Sequence, residues 1–202
     1  MDENGVPRRS QKISLLYGNF LGDLEQGVFF GTSVSSIDLD GDDVPDLAVG
    51  ARGDDGGSQG ALTGAVWILF MNRNGTVKKH QKISQTEGNL NVNLDALGLF
   101  GSSVDWISDF DGDGIPDLAV GSPLSGKIWV LMMHRNGTVK NYQTIIDEDS
   151  GILHSSGQFT SRFGQSVKWI GDIDGDGVID IAVGAPRYTN SRGELYPESL
   201  TI

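Results

Sequence analysis

An internal repeat limits the possible folds of this chain more than any other feature of its sequence. Three segments begin with Phe-Gly, at residues 30, 100 and 163, and each runs through an acidic stretch into an apolar Asp-(Leu/Ile)-Ala-Val-Gly sequence. A second pattern follows the first two segments: GAVWILFMNRNGTVKKHQKIS from Gly64 and GKIWVLMMHRNGTVKNYQTI from Gly126. The chain is therefore expected to form one structural unit repeatedly.

Each repeat is predicted to form four short antiparallel strands. The segment after Phe-Gly and the Asp-Leu-Ala-Val-Gly run supply the first two strands, and residues 65–70 and 76–83 supply the third and fourth. The Asn-Gly between the last two suits a two-residue hairpin turn. No stretch keeps a helical period over three turns, so an all-β fold is predicted. Four-stranded units at this period indicate the blades of a β-propeller.

These motifs resemble FG-GAP repeats over roughly residues 8 to 196. The resemblance rests on the Phe-Gly start, the acidic loop and the closing Gly-Ala-Pro, which is intact only at Gly184–Pro186. The other repeats close with Gly50-Ala51-Arg52 and Gly121-Ser122-Pro123, a change in a turn and not in the acidic loop. FG-GAP repeats build the propeller of integrin α subunits. The resemblance thus implies a non-catalytic, integrin-α-like module for extracellular or cell-surface recognition or adhesion.

Each acidic loop carries four aspartates in the same register. At positions 1, 3, 5 and 9 of a tight loop they can face one point, and a backbone carbonyl at position 7 would join them. A hard cation that takes six to eight oxygens at about 2.3–2.6 Å fits this cluster, so Ca²⁺ is predicted at about three sites in preference to Mg²⁺. The predicted ligands are Asp38, Asp40, Asp42, Val44 and Asp46, then Asp109, Asp111, Asp113, Ile115 and Asp117, and finally Asp172, Asp174, Asp176, Val178 and Asp180.

The loops are not expected to be EF-hands or plain acidic turns. An EF-hand places a bidentate glutamate at position 12 between two helices, whereas position 12 here is Val49, Val120 or Val183 within an apolar strand. Asp and Gly also favour ordinary turns. Three copies with four aspartates in register favour metal binding over that simpler interpretation.

The composition of the chain limits what it can bind and where the protein is expected to be found. The net charge of −12 disfavours binding to nucleic acid. The sequence contains no run of 18 apolar residues, so no membrane-spanning helix is predicted. There is no cysteine, which excludes disulfides, and no signal peptide is visible in the opening MDENGVPRRS. Because calcium at extracellular concentrations fills weak sites, the loops suggest an extracellular or cell-surface location.

The resemblance implies that the metal loops are structural and lie away from the ligand. Ligand binding is then expected in loops on the opposite face, with Gly53–Gly60, Thr86–Leu97 and Asp147–Ser161 as candidates for an unidentified protein or glycan. Two alternatives stay open. One is a calcium-stabilised propeller lectin, since some FG-GAP-like propellers bind sugars between blades. The other is the accessory propeller of a larger secreted enzyme, since similar repeats accompany a phospholipase.

Several other residues are expected to be structural. Arg52-Gly53-Asp54 matches a tripeptide recognised by integrins, but it lies in a glycine-rich loop where chance assembly is easy. Asn74 and Asn136 begin Asn-Gly-Thr sequons, which the hairpin turns explain and which would be glycosylated only after secretion from a eukaryotic cell. The equivalent Trp67 and Trp129 favour blade packing. His80, His134 and His154 stand in no catalytic or zinc-binding motif.

The chain is interpreted as one propeller segment over residues 1–202, with repeats at about 30–84, 100–146 and 163–202. Gln11–Ser14 repeats Gln81–Ser84, the end of a fourth strand, so residues 8–16 are predicted to be the last strand of a preceding or partner blade. Residues 192–196 look like the start of a third strand that Pro197 interrupts. Propellers need about four to eight blades. The ring is expected to be completed by the remainder of a longer propeller or by a second copy in a head-to-tail dimer. A mass in solution equal to that of one chain would exclude the dimer.

Overall fold

The computed structural model describes residues 6, 9–56, 62–146, 161–187 and 199–201, and these residues form eleven strands and no helix. The strands make three antiparallel sheets. The first sheet holds, in spatial order, β1 (Phe30–Ile37), β2 (Asp46–Ala51), β3 (Ala65–Met71) and β4 (Val77–Ile83), and the second holds β5 (Ser103–Ile107), β6 (Asp117–Ser122), β7 (Lys127–Met133) and β8 (Val139–Ile146). The third holds β9 (Ser166–Gly171), β10 (Asp180–Ala185) and β11 (Ser199–Thr201), with β10 in the middle. The predicted all-β fold is confirmed.

The third strand of each four-stranded sheet is buried along its length. Every residue of β3 is buried, and in β7 only Lys127 is partly exposed. A strand with one solvated face would alternate between buried and exposed residues, so both faces of these strands are covered. In β8, by contrast, every residue after Val139 is exposed. The sheets therefore stand side by side as blades, with the fourth strands on the outside.

Alternate residues of β3 pack against different neighbours. One side joins a core cluster with β7 of the next blade, and the other side joins a cluster that includes the segment before β1. The first cluster contains Val66, Ile68 and Phe70 together with Trp129, Leu131 and Met133. The second contains Trp67, Leu69 and Met71 together with Phe20. Because both sides of the strand are apolar, its sequence reads as a continuous hydrophobic run.

The hairpin turns are longer than the sequence predicted. The loop between β3 and β4 runs from Asn72 to Thr76 and is closed by hydrogen bonds from the Asn72 N–H to the Thr76 carbonyl and from the Gly75 N–H to the Asn72 carbonyl, both 2.8 Å. Gly75 has a φ of +85°, whereas Asn74 is not in the left-handed region. The Asn74 side chain accepts the Thr76 N–H instead, at 3.0 Å. The asparagine thus serves as a side-chain acceptor in a five-residue loop.

The segment before β1 copies the one between β4 and β5. The Gln11 and Gln81 amides each donate to the following carbonyl at 2.8 Å, and the carbonyls of Gly18 and Gly88 each accept a backbone N–H of the adjacent blade at 2.8 Å. Residues 9–13 form no strand, and Ser14 bridges only to a residue three positions further on. Their assignment to the last strand of another blade stays a prediction.

The third sheet has three described strands. Its strand β11 lies after Pro197 and pairs with β10. The sequence predicted a third strand that starts at residues 192–196. Those residues lie outside the described part of the chain.

Pairs of glycines bring neighbouring blades into backbone contact. A Cβ added to Gly50 would overlap the carbonyl oxygen of Gly101, and one added to Gly121 would overlap that of Gly164. The first glycine of each pair ends the Asp-Leu-Ala-Val-Gly sequence, and the second belongs to the next Phe-Gly. A backbone oxygen cannot swing aside as a side chain can, so these positions exclude any side chain. The repeat motif therefore marks the place where one blade touches the next.

The Gly50→Ala variant is expected to lower the free energy of unfolding by at least about 2 kcal/mol, because overpacking typically costs about 1–3 kcal/mol and here the obstacle is backbone. Gly184→Ala is the matched control, since an added Cβ there meets the Ser166 hydroxyl, which can rotate. Urea unfolding followed by tryptophan fluorescence compares the two variants. Equal losses would contradict the assignment of Gly50 to a blade contact.

Candidate metal centre

Each acidic loop connects the first and second strands of its sheet and is closed by its first aspartate. Asp38 accepts the N–H groups of Gly41 and Asp42 on Oδ1, at 2.8 and 3.1 Å, and that of Asp43 on Oδ2, at 2.9 Å. The first aspartates of the other loops make the same three bonds. The position-4 glycine has a φ of 82°, 79° and 77° in the three loops. The predicted tight turn is therefore present in all three copies.

The aspartate at position 9 ties its loop to the third strand. Asp46 is 1% exposed, and its carboxylate accepts the N–H of Met71 at 3.0 Å and that of Leu39 at 3.2 Å. Asp117 accepts the two equivalent bonds at 2.9 and 2.8 Å. Burial raises the pKa of both carboxyls because it disfavours the charged form. These two aspartates therefore have a structural role apart from any ion.

Three carboxylates in each loop converge closely enough to share one ion, with one oxygen from each within 4.8 Å of the others. The groups are Asp38, Asp40 and Asp42 in the first loop, Asp109, Asp111 and Asp117 in the second, and Asp172, Asp174 and Asp180 in the third. The geometry brings together positions 1 and 3 in every loop, with position 5 or position 9 as the third member. Asp46, Asp113 and Asp176 fall outside these groups.

The residues at position 7 contribute a donor to the loop. The N–H groups of Val44, Ile115 and Val178 donate to the carboxylate at position 5, at 3.0, 2.9 and 2.7 Å. These bonds orient the position-5 side chain. The expected metal ligand at position 7 is the carbonyl on the other side of the same residue, and that role stays a prediction.

A lysine ammonium contacts the carboxylates at positions 3 and 5 in the first two loops. Lys78 Nζ lies 2.6 Å from Asp42 Oδ2 and 3.3 Å from Asp40 Oδ2. Lys140, at the same place in the second blade, contacts the two equivalent carboxylates at 2.7 and 2.6 Å. These hydrogen bonds lower the pKa of Asp42 and Asp113 and raise the pKa of both lysines. Neither lysine was predicted as part of the site, although Thr-Val-Lys follows Asn-Gly in both repeats.

The first loop also contains a carboxylate oxygen that lacks a partner. Asp40 Oδ1 is buried and makes no hydrogen bond, although its neighbour Oδ2 contacts Lys78. A buried carboxylate oxygen without a partner is costly. Together with the converging carboxylates and the ammonium already drawn to them, it shows that the residues present fit a hard cation. The three loops are therefore acidic clusters that could hold a metal.

Arg135 places the first two loops side by side. Its Nη1 donates to the carbonyl of Leu39 in the first loop at 3.4 Å, and its Nη2 donates to that of Gly114 in the second at 3.1 Å. The acidic loops of neighbouring blades consequently lie along the same edge of the molecule.

The structure separates the loops from EF-hands, as the sequence predicted. Val49, Val120 and Val183, at position 12, lie in β2, β6 and β10 and are 3%, 0% and 2% exposed. A buried aliphatic side chain inside a strand supplies no ligand. Any ion must be held by the loop residues before the strand.

The Arg-Gly-Asp tripeptide is not displayed. Asp54 is 3% exposed and forms an ion pair with Lys82 at 2.9 Å. The Gly53 N–H donates to the carbonyl of Val28 at 3.0 Å, and the Arg52 guanidinium lies over a phenylalanine ring. All three residues are engaged within the blade, which favours the chance interpretation of the tripeptide.

The candidate ligand loops are only partly described. Residues 57–60 of the first and 147–160 of the third lie outside the described residues, as does His154. In Thr86–Leu97 most side chains are exposed, while Leu90 and Leu94 are buried in the core. Trp67 and Trp129 are 3% and 4% exposed, which confirms their predicted role in blade packing.

Comparison with known proteins identifies the repeats. The family described as FG-GAP repeat matches residues 30–69, 100–131 and 163–196, which contain the three acidic loops. The chain belongs to the FG-GAP repeat family. Its three sheets are thus blades of a β-propeller, and they do not close into a ring. No helix in the described part of this FG-GAP chain is long and apolar enough to cross a membrane.

The FG-GAP chain is similar to integrin α subunits. It is 31% identical to integrin alpha-PS5 of Drosophila melanogaster over 87% of its own length and 16% of that protein. It is also 31% identical to integrin alpha-2 of Mus musculus, over 79% of the chain and 13% of the relative, and to integrin alpha-V of Gallus gallus, over 90% and 18%. The chain therefore spans less than a fifth of the length of these relatives.

Asp117→Ala is expected to lower the free energy of unfolding by about 2–4 kcal/mol in excess chelator, because the buried N–H of Met133 and the partly buried N–H of Phe110 lose their acceptor. Asp113→Ala is the control, since it removes an exposed carboxylate from the same loop and should cost clearly less. Urea unfolding in chelator measures both without any contribution from bound metal. A larger loss for Asp113→Ala would contradict the structural role of Asp117.

Proposed function

We propose that this chain is a calcium-binding, non-catalytic FG-GAP propeller module used for extracellular or cell-surface recognition or adhesion. The observation that carries the proposal is the recurrence of one acidic cluster in the same loop of three blades. The family relationship supports it, since the similar proteins are named integrin α subunits. The protein or glycan that such a module would bind contacts the propeller through loops away from the acidic edge.

Calcium suits the loops better than magnesium. All the predicted ligands offer oxygen, and the lysines that contact the carboxylates are partly exposed and can move away. Ca²⁺ accepts six to eight oxygens in variable geometry, whereas Mg²⁺ requires a near-ideal octahedron and retains several waters. The fifteen proposed ligands are the aspartates at positions 1, 3, 5 and 9 and the carbonyls at position 7.

The same chemistry supports a non-catalytic role. A carboxylate bound to calcium stays ionised and cannot exchange protons readily, so the loops are poor acid–base groups. His80 packs against the rings of Phe20 and Trp67, at centroid distances of 5.2 and 5.3 Å, and is part of the blade. His134 lies at the hairpin after β7.

Calcium would also replace the missing disulfides as a source of stability. Twelve loop aspartates contribute −12, and three Ca²⁺ ions would return +6. Binding only to the folded state adds about 1.4–2.7 kcal/mol per site at tenfold to hundredfold saturation. At millimolar calcium, tenfold saturation corresponds to a dissociation constant of about 10⁻⁴ M, the tighter end of the range for extracellular modules. An outside location, with Asn74 and Asn136 as glycan acceptors after secretion from a eukaryotic cell, belongs to this proposal. So does ring completion by further blades of the same protein or by a second copy.

A thermal melt of the purified chain in excess chelator, then with calcium and with magnesium at matched ionic strength, tests the proposal. Calcium is expected to raise the melting temperature by about ten degrees or more, as three sites of this strength would in a domain of ordinary stability. Magnesium is expected to give a much smaller rise. The absence of any calcium-dependent shift would remove the metal assignment and the extracellular argument with it.

A propeller lectin is the second candidate, because one tryptophan remains exposed. Trp169 is 42% exposed and, with Trp106, lines a cavity of about 340 Å³ next to the second acidic loop. An exposed indole face can stack on a sugar ring.

If the chain is a lectin, a glycan array should give calcium-dependent binding to a defined sugar. Trp169→Ala should abolish that binding while leaving the calcium-dependent melting shift unchanged. Trp129→Phe is a control, since Trp129 is buried and does not line the cavity. An array without binding in calcium would leave protein recognition as the function.

A further inference from the structure

The ammonium groups of Lys78 and Lys140 contact carboxylates that a bound metal would also use. Each lysine follows the first residue of a fourth strand, Val77 or Val139, which is buried and whose N–H donates to a glycine carbonyl at 2.8 Å. The backbone just before each lysine is thereby held by the same hydrogen bond in both blades. The side chains are 42% and 37% exposed, so the ammonium groups can move into solvent.

The lysines and a metal would need the same carboxylates. Lys78 contacts Asp40 and Asp42, and both belong to the converging group of the first loop. Lys140 contacts Asp111, which belongs to the converging group of the second loop, and Asp113 beside it. In the metal-free protein the ammonium partly neutralises carboxylates that would otherwise repel each other. A divalent cation at the same carboxylates would be repelled by that ammonium.

The third loop differs in this respect. Its converging carboxylates are Asp172, Asp174 and Asp180, and no lysine or arginine of the described residues contacts them. The nearest basic residue in β9, Lys168, instead pairs with Asp105 of the neighbouring blade at 3.0 Å. The third sheet has no described fourth strand, which is the element that carries Lys78 and Lys140 in the other two sheets.

We propose that Lys78 and Lys140 are tethered counter-ions that occupy the first two loops without metal and are displaced when a divalent cation binds. This inference rests on the proposed calcium function. It makes each of these two loops a weaker metal site than the same loop would be without its lysine. For a divalent ion and an ammonium about 5 Å apart in a water-like dielectric, the repulsion corresponds to about a tenfold change in an equilibrium constant.

Lys79 does not share this role. Its Nζ lies 3.7 Å from Asp40, but also 3.9 Å from the centroid of the Phe70 ring, and the second blade has Asn141 at its position. It is held against the blade core and has no counterpart in the second loop.

The inference is tested by measuring calcium affinities in competition with a chelator of known affinity. The titration starts from the calcium-loaded chain, so it does not require a stable metal-free form. Lys78→Gln and Lys140→Gln should each raise the calcium affinity of one site about tenfold at low salt, and high salt should reduce the gain. Lys78→Arg and Lys140→Arg keep the charge and should keep the weaker affinity.

Lys127→Gln is the matched control, because it removes the same charge from an ion pair of 2.6 Å with Asp95. Lys127 begins β7, about 20 Å along the strand from the end near the acidic loop. It should leave all three affinities unchanged. If the wild-type chain binds calcium but the Lys78→Gln and Lys140→Gln variants bind it no more tightly, the inference is overturned and the proposed function is not. No calcium binding by the wild-type chain would overturn the proposed function and the inference together.

Discussion

Backbone contact between glycines of successive repeats is the constraint on which this structure depends. Gly50 and Gly121 are the last residues but one of β2 and β6, and each lies against the glycine of the next Phe-Gly with no room for a Cβ. Blades held this close cover both faces of β3 and β7, which explains why these strands are apolar throughout. The same spacing lines up the acidic loops along one edge, where Arg135 joins two of them. Packing and site geometry therefore follow from one contact.

The acidic loops combine a rigid frame with unbalanced charge. Backbone N–H groups satisfy the first and last aspartates, so the loop keeps its shape through hydrogen bonds that need no ion. In the first two loops the carboxylates at positions 3 and 5 contact a lysine instead, and one oxygen of Asp40 makes no hydrogen bond. A fold that fixes carboxylates in place while leaving their charge uncompensated is suited to cations. The proposed calcium sites and the proposed counter-ion role of the lysines are two consequences of this arrangement.

Burial also decides which motifs can take part in recognition. The Arg-Gly-Asp tripeptide resembles an adhesion signal in sequence but not in exposure, because Asp54 is buried in the blade and paired with Lys82. Exposed surface is found elsewhere, in the connection between the first two blades and at Trp169. A family relationship to integrin α subunits is therefore compatible with a chain whose own tripeptide is structural.

The sequence by itself determined the repeat, the strand content and the positions of the acidic loops. These depend on local spacing: a Phe-Gly start, aspartates at alternate positions and apolar runs are all readable within a few residues of one another. Only the tertiary structure decided which distant groups meet. Lys78 reaches Asp42 across 36 residues of sequence, and Gly50 meets Gly101 across the blade interface. Such contacts depend on how whole sheets pack, which no local period in the sequence specifies.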